Sequence, residues 1–139
     1  MRKSIVTVAA CLLLTTFSFA QKLSADKVPA NVKAKFTSLY PAVTDAKWEM
    51  ENSAYEAGFN NGGTHTTVVI DAKGLLKETE TAIPASALPK AASDYLAKKY
   101  AGVKLTETAK IVDASGKVTF EAEVNKKDVL FDEKGNFIK

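Results

Sequence analysis

The sequence predicts an α+β protein in which two tandem helix-plus-antiparallel-sheet repeats form one curved sheet, with the helices packed on one face. The first observation is internal similarity: VVIDAKGLLKE at 68–78 resembles VLFDEKGNFIK at 129–139, and VPANVKAKFTSLYPAV at 28–43 resembles LPKAASDYLAKKYAGV at 88–103. The second is a change of pattern within each repeat, from apolar residues three or four positions apart to apolar residues that alternate with polar ones. Because the first spacing is typical of a helix and the second of a strand, the same unit is predicted twice.

A helix is predicted at the start of each repeat. In the first repeat, Pro29 suits the opening turn, and Pro41 ends the helix near Tyr40. In the second repeat, Gly102 provides the stop. The positions at helical spacing, which should share one side of each helix, are Val32, Phe36, Leu39, Tyr40 and Val43 in the first and Ala92, Tyr95, Leu96, Lys99 and Tyr100 in the second.

About four short antiparallel strands are predicted to follow each helix. Their turns are rich in Asn, Asp and Gly, as in NNGG at 60–63 and in the repeated Asp-x-Lys-Gly, which should form one hairpin turn per unit. TETAIPASA at 79–87 is predicted to connect the repeats. One helix over four strands leaves much apolar surface exposed, so the two units should join edge to edge in a larger sheet. The strand segments are AYEAGF at 54–59, THTTVVID at 64–71, LLKETE at 75–80, TAKIVDA at 108–114, VTFEAEV at 118–124, VLFD at 129–132 and NFIK at 136–139.

The first twenty residues have the layout of a signal peptide. A basic start at Arg2 and Lys3 precedes an apolar run and then Ser18-Phe19-Ala20, which favours cleavage after Ala20. The apolar run is too short for a spanning helix of roughly 20 apolar residues, so we expect a periplasmic or secreted protein without stable membrane insertion. Two alternatives remain open: a retained membrane anchor, and a lipoprotein modified at Cys11. The predicted division is signal peptide 1–20, first repeat 21–80 and second repeat 81–139.

The net charge and the cysteine content limit which partners and which covalent crosslinks are expected. Without Arg2 and Lys3, the 19 Lys and Arg residues fall to 17, against 16 Asp and Glu, so the mature chain is nearly neutral. That balance gives no electrostatic reason to expect nucleic acid or an anionic membrane surface as a partner. The one cysteine, Cys11, leaves with the signal peptide. A mature chain without disulfides must be held by its hydrophobic core.

Several of these segments together resemble one protein family. The signal peptide, the helix with VP, Phe and Tyr, the strand with Trp48-Glu49, YEAGF and IDAKG are similar to the PepSY-like family of exported Bacteroidota proteins, also described as β-lactamase-inhibitor-like. The resemblance covers nearly the whole mature chain. It implies tandem units in one curved sheet with helices on the convex side, and it implies little chemistry. β-Lactamase inhibition is not carried over, because that inhibitor is larger and disulfide-bonded and no inhibitory loop corresponds here.

Catalytic, cofactor and metal sites are not predicted, and the expected class is non-enzymatic. The mature chain has one histidine, His65, just after a hairpin turn and without a serine motif beside it, so an exposed strand histidine is the simpler interpretation. A zinc site needs three or four ligands, and His65 alone gives weak support. Glu121 and Glu123 share a strand face near Glu56 and could do acid–base work if buried, although a solvated sheet face predicts the same alternation.

The functional hypothesis is a partner-binding face on the side of the sheet opposite the helices. Alternation predicts that Val68, Ile70, Val129 and Phe131 face the helices, so the residues between them must point away. Mixed polar and apolar groups on that face favour a protein or peptide of the cell envelope as partner, although scattered surface apolar residues are also common. A small-molecule or lipid carrier and a hydrolase are the alternatives. The candidate residues are Glu56, His65, Val69, Glu121, Glu123 and Leu130.

Overall fold

The computed structural model describes residues 21–139. The predicted signal peptide, its cleavage after Ala20 and the lipoprotein alternative at Cys11 lie outside the described residues.

The described part is an α+β fold with one antiparallel sheet of eight strands and two α-helices. The strands are β1 (Gln21–Leu23), β2 (Lys47–Glu51), β3 (Ala54–Asn61), β4 (Thr64–Asp71), β5 (Leu76–Ala82), β6 (Leu105–Asp113), β7 (Val118–Val124) and β8 (Lys127–Asp132); the helices are α1 (Ala30–Leu39) and α2 (Lys90–Lys99), each preceded by a short 3₁₀ turn (Ala25–Lys27 and Ala85–Ala87).

The strands follow one another across the sheet in chain order, each antiparallel to the next. The element order of strand, 3₁₀ turn, α-helix and three strands occurs twice along the chain. β4 and β5 join the halves through pairs from Thr66–Thr81 to Ile70–Leu76, with a register shift next to Val69. Residues 79–82 therefore belong to a central strand, and the prediction that they are part of a connector was wrong. The division into repeats at 80/81 falls inside β5 and stays a prediction.

The two helices bury equivalent positions. Their exposure pattern is the same residue by residue, with Val32 and Phe36 buried in α1 and Ala92 and Leu96 buried in α2. A proline, Pro29 or Pro89, precedes the first helical residue of each, where its fixed φ and missing N–H are tolerated. Each helix thus presents a narrow apolar stripe, and Leu39 on α1 lies outside it and is 37% exposed.

One sheet face packs against the helices, and each half has its own apolar cluster. In the first half, the ring of Phe36 contacts the rings of Trp48 and Phe59 at centroid distances of 5.2 and 5.3 Å. In the second half, Tyr95 of α2 contacts Phe131 at 5.6 Å. On β3, β4, β7 and β8 the buried residues are two positions apart, as the alternation predicts. The buried strand residues include Ala57, Phe59, Val68, Ile70, Ala122, Val124, Val129 and Phe131.

The Asp-x-x-Gly sequence forms the same turn three times, after β4, β6 and β8. In each turn one carboxylate oxygen of the aspartate, Asp71, Asp113 or Asp132, accepts hydrogen bonds from the backbone N–H groups two and four residues later. The glycine at the fourth position has φ between +80° and +86°, a conformation that favours glycine. This is a three-residue hairpin loop with a glycine bulge. The predicted Asp-x-Lys-Gly pattern describes two of the three copies, because the copy at Asp113 has Ser115 in place of the lysine.

The C-terminal segment pairs only partly. Phe137 forms an isolated bridge with Phe131, and Ile138 N–H donates to the Leu130 carbonyl oxygen. The ring of Phe137 stacks on Tyr95 at a centroid distance of 4.8 Å. Its side chain is nevertheless 44% exposed, so Phe137 is not a core residue, although NFIK at 136–139 was predicted to be a strand. The segment has no further strand on its outer side among residues 21–139, which leaves one side of that ring open.

Gly135 should tolerate alanine less well than Gly116, which occupies the same position of the same turn. The φ angles are +84° and +86°, so both substitutions carry the same backbone strain of about 1–2 kcal/mol. A Cβ on Gly135 would approach Ala92 N and Pro89 Cβ at 2.8 Å, whereas one on Gly116 meets nothing within 4 Å. We expect Gly135→Ala to lower the free energy of unfolding by about 1–3 kcal/mol more than Gly116→Ala, measured by urea denaturation. Equal losses would contradict the docking of this turn on α2.

Candidate functional site

The face of the sheet opposite the helices, called here the open face, carries all six predicted candidate residues. Glu56 lies on β3, His65 and Val69 on β4, Glu121 and Glu123 on β7, and Leu130 on β8. Each has at least one buried, helix-facing residue next to it in the chain, so alternation directs its own side chain to the open face. The sequence therefore placed these six side chains on the correct side of the sheet, and their role in binding stays a prediction.

The two apolar candidates are surrounded by carboxylates. Val69 pairs with Glu56 on one side and with Glu78 on the other. Leu130 pairs with Glu121. Both apolar side chains are half-buried. Because β4 and β8 are four strand spacings apart, about 19 Å separates the two apolar points. They form two small apolar sites on one face.

The sequence prediction missed three acidic residues at the centre of the open face. Glu78 and Glu80 lie on β5, and Glu107 lies on β6, opposite Glu123. Glu80 was missed because residues 79–87 were assigned to a connector, and Glu107 because the following strand was predicted to start at 108. Glu78 lay in the predicted strand 75–80, but the side of the sheet that it faces was not predicted. The alternation in KETET was the available signal for β5. The residues called here the acidic surface are Glu56, Glu78, Glu80, Glu107, Glu121, Glu123 and Asp128.

Burial and neighbouring negative charges raise the pKa values of three carboxyl groups of the acidic surface. Burial, followed by the charges of Glu107 and Glu56, raises the pKa of Glu80 to about 7. Burial, followed by the charge of Glu80, raises the pKa of Glu121 to about 7. Burial also raises the pKa of Glu56, with the next contribution from Glu49. A carboxylate surrounded by others of the same charge and partly shielded from water keeps its proton to a higher pH.

Ala109 indicates how closely the central side chains are packed. It lies on the open face, paired with Ala82 on β5 and Glu121 on β7, and it is fully buried. A residue as small as alanine is covered on an exposed face only by the larger side chains around it, and Glu121 is its direct cross-strand neighbour. The centre of the open face is therefore a layer of carboxylate side chains over two alanines.

The positively charged side chains of the open face lie near β1, the edge strand of the first half. Lys22 pairs with Glu49, and Lys47 pairs with Gly58. The imidazole of His65 lies over Gly58, with its Cε1 atom 3.5 Å from the position that a Cβ there would take. The face is thus electrically asymmetric, with lysines beside β1 and β2 and uncompensated carboxylates from β5 to β8.

The described residues offer no metal centre and no nucleophile arrangement around His65. Residues 21–139 contain no group of three or more His, Cys, Asp or Glu side chains that could hold a metal ion. Two serine hydroxyls donate hydrogen bonds elsewhere, Ser38 to the Lys35 carbonyl oxygen and Ser115 to the Asp113 carboxylate. Neither described α-helix is long and apolar enough to cross a membrane.

The comparison with protein families gives a match over nearly all of the described chain. The family model described as "Putative beta-lactamase-inhibitor-like, PepSY-like" matches residues 16–75 and again residues 53–139. The chain belongs to the PepSY-like family. The two matches overlap over residues 53–75, which contain β3 and β4. None of the curated proteins matches the chain.

Solved structures of Bacteroides proteins have the same fold as this PepSY-like protein. A DUF2874 protein of Bacteroides uniformis ATCC 8492 is 23% identical, with a TM-score of 0.70 over 80% of this chain and 86% of that one. A Bacteroides eggerthii DSM 20697 structure, described under "putative periplasmic proteins", is 18% identical, with a TM-score of 0.73 over 81% and 86%. A BLIP-like protein of Bacteroides fragilis NCTC 9343 is 22% identical, with a TM-score of 0.61 over 80% and 83%. At these identities the likeness establishes the fold alone.

Neutralising the central carboxylates should stabilise this PepSY-like protein at alkaline pH. The folded-state pKa values of Glu80 and Glu121, about 7, exceed the ordinary value of 4.5. Between these pH values the folded state holds protons that the unfolded state has lost, so the free energy of unfolding falls as pH rises and levels off above 7. Glu80→Gln or Glu121→Gln should add on the order of 1 kcal/mol at pH 8, after solvent screening, and almost nothing at pH 4.

The control for this prediction is Glu133→Gln, in the exposed turn after β8, which should leave the stability unchanged at both pH values. The measurement is urea denaturation of the parent and the three variants at pH 4 and pH 8. A gain of the same size at both pH values would show that packing or hydrogen bonding, and not charge, produces the effect.

Proposed function

We propose that this protein is an exported, non-enzymatic periplasmic binding module that captures a basic protein or peptide segment on the open face of its sheet. In this proposal the two halves are tandem copies of one unit. They join through β4 and β5 into one curved sheet, with the helices on the side away from the partner. The six candidate residues and the acidic surface form the contact region.

One observation carries the proposal: the open face combines uncompensated negative charge with two half-buried apolar points. Electrostatic complementarity favours a partner with Lys or Arg side chains, because charged groups of opposite sign steer association and exclude other partners. Val69 and Leu130 offer the apolar contacts that a desolvated interface needs. Neither helix covers this face, since the described contacts of α1 and α2 are with the other side of the sheet.

The shape of the face favours a macromolecule over a small ligand. Small molecules are held in concave pockets that bury most of their surface, and an uncovered sheet face gives little enclosure. A protein or peptide can cross several strands and contact Val69 and Leu130 together, over about 19 Å. The cross-strand spacing of the carboxylates suits a basic segment whose side chains reach successive strands.

Export is the other part of the proposal. It rests on the signal-peptide layout of residues 1–20 and on relatives of the same fold that are described as periplasmic. The non-enzymatic role rests on the sequence, in which His65 stands without a serine motif beside it.

The partner should crosslink to the open face and not to the helices. A photo-crosslinking amino acid at Val69 or at Leu130 should capture one and the same basic protein in the cell envelope, with a yield that falls as salt screens the charges. The same crosslinker at Ala34, exposed on α1, is the control and should not capture it. Crosslinking is read by mass spectrometry of the recovered adduct. Capture of an acidic protein, or equal yields from Ala34, would contradict the proposal.

A charge substitution tests the same surface without a crosslinker. The double change Val69→Lys and Leu130→Lys should leave folding nearly intact and abolish partner capture, because it places positive charge at both apolar contact points. The matched control adds two lysines on α1, at Ala34 and Thr37, both exposed on the far side of the sheet. A folded open-face double variant that still recovers the same partner would refute the proposal.

A further inference from the structure

The charges of the chain are separated between the two sides of the sheet, although their sum is close to zero. The acidic surface lies on the open face, where Lys22 and Lys47 stand at the β1 edge. The side formed by the helices, called here the helix side, carries the opposite charge. The two α-helices and their 3₁₀ turns contain Lys27, Lys33, Lys35, Lys90, Lys98 and Lys99, against the acidic residues Asp26 and Asp94.

Most of this positive charge is not neutralised by ion pairs. Within residues 21–139, the one side-chain ion pair joins Lys90 to Asp94 on α2, with 2.6 Å between the nitrogen and the oxygen. A further lysine, Lys110 on β6, is exposed and lies opposite Phe120, which packs against the apolar cluster of the second half. Lys110 therefore points to the helix side, and the excess of lysine extends from the helices onto the strands.

The lysines of the helix side are spread over a wide area. The apolar cluster beneath α1 includes residues of β3 and β4, and the cluster beneath α2 includes residues of β7 and β8. Because β3 and β7 are four strand spacings apart, about 19 Å separates the two helices. This distance is roughly twice the Debye length of about 8 Å at physiological salt. A small anion at one helix thus leaves the charge of the other unchanged, and only an extended anionic partner can meet both.

We infer that the helix side binds the surface of an anionic phospholipid membrane through these lysines. The nearly neutral composition gave no reason to expect such a surface, because a net charge does not record how a fold distributes its charged groups. Membrane contact on the helix side leaves the open face accessible on the other side of the sheet. The inference therefore stands independently of the proposed capture of a basic partner.

The arrangement of the lysines favours lipid headgroups over a folded acidic protein. The charges stand on two separate helices and are not gathered in one pocket. A folded partner would need carboxylates at fixed positions that match this spacing, whereas anionic lipids diffuse within the bilayer and collect beneath each lysine. Several lysines near a bilayer surface add their separate attractions, and long lysine side chains reach the headgroups from a helix that stays outside the bilayer.

An apolar pocket on the same side distinguishes lipid from other polyanions. It is open, has a volume of about 430 Å³ and lies between α2 and the start of β6. The exposed Lys98 follows the lining residue Ala97, and the exposed Lys104 stands between the lining residues Val103 and Leu105. Nucleic acid or an acidic polysaccharide would leave this apolar wall in water. A lipid can meet the lysines with its headgroup and the wall with part of an acyl chain, a combination typical of surfaces that lie at the membrane interface.

The inference is tested by co-sedimentation of the protein, purified after export, with lipid vesicles. One set of vesicles contains phosphatidylglycerol and phosphatidylcholine in equal amounts, and the other contains phosphatidylcholine alone. Binding is expected to the anionic vesicles and not to the neutral ones, and it should fall steeply as salt screens the charges. Equal binding to both sets, or no binding to the anionic set at low salt, would overturn the inference.

Two double variants of equal net charge locate the contact. Lys35→Glu with Lys98→Glu alters one lysine on each helix and should reduce binding to the anionic vesicles by more than about tenfold. Lys22→Glu with Lys47→Glu makes the same change of net charge on the open face and should change the binding by less than about twofold, because these positions lie beyond the Debye length from the bilayer. Equal losses in the two double variants would show that net charge alone governs the binding, which contradicts the inference.

The folding of each double variant is checked by circular dichroism. Lys35 is half-buried, so Lys35→Gln with Lys98→Gln replaces the helix-side pair if the glutamate version unfolds. This variant removes the same two positive charges without adding carboxylates, and it should still lower the binding severalfold. A folded glutamine variant with undiminished binding would refute the assignment of the helix side.

A fluorescent label reports which side of the protein meets the bilayer. The one cysteine of the chain, Cys11, lies in the predicted signal peptide, so a single new cysteine can carry the dye. A polarity-sensitive dye at Ala34→Cys, exposed on α1, should gain emission on anionic vesicles, whereas the same dye at Lys47→Cys, exposed on the open face, should not. A gain at Lys47→Cys alone would reverse the orientation and overturn the inference.

Polyglutamate is the comparison ligand for an acidic protein. The protein should leave immobilised polyglutamate at a lower salt concentration than the one that releases it from the anionic vesicles, because polyglutamate offers no acyl chain to the apolar pocket. Retention on polyglutamate at a salt concentration that already releases the vesicles would overturn the lipid assignment in favour of an acidic protein.

Discussion

The fold depends on the pairing of β4 with β5. Each half alone would be a sheet of four strands with one ten-residue helix, and its small apolar cluster would have an open sheet edge beside it. Small cores of this kind provide little net stability, and a free edge strand can pair with other chains. The hydrogen bonds from Thr66–Thr81 to Ile70–Leu76 remove both edges and make the two clusters neighbours on one face. The remaining edges are β1, three residues long, and β8, which the C-terminal segment partly covers.

The same junction explains why charge collects at the centre of the open face. Residues of β5 must contribute apolar or small groups to the helix side and polar groups to the other side. Glu78 and Glu80 take the outward positions and enter a face that already carries Glu56 from β3 and Glu121 from β7. Burial, followed by repulsion from the neighbouring carboxylates, raises the pKa values of Glu80 and Glu121 to about 7, so their ionisation opposes folding. A surface whose charge lowers the stability of the fold is a usual property of binding regions.

The sequence was sufficient for the elements with strong local signals and insufficient for the strand whose role depends on distant partners. The helices follow from the spacing of Val32, Phe36 and Tyr40 and from the flanking prolines, and the turns follow from Asn, Asp and Gly. Alternation around Val68 and Ile70 was enough to identify which side chains point to the open face. β5 was assigned in part to a connector because LKETETA has few apolar residues, and only its two neighbours in the sheet make it a central strand.

The internal similarity predicts the same backbone elements for both halves, but it does not show that their core side chains differ in size. Aligned segments share prolines, a tyrosine at each helix end and the aspartate turns, and these conserve the backbone. The replacement of Trp48 by Thr108 and of Phe59 by Val124 does not alter the backbone, because both pairs of residues are buried at equivalent strand positions. These replacements reduce the volume of the side chains that lie beneath α2. Two halves with the same backbone order can therefore pack their cores with different side chains, and each half keeps its own closely packed cluster.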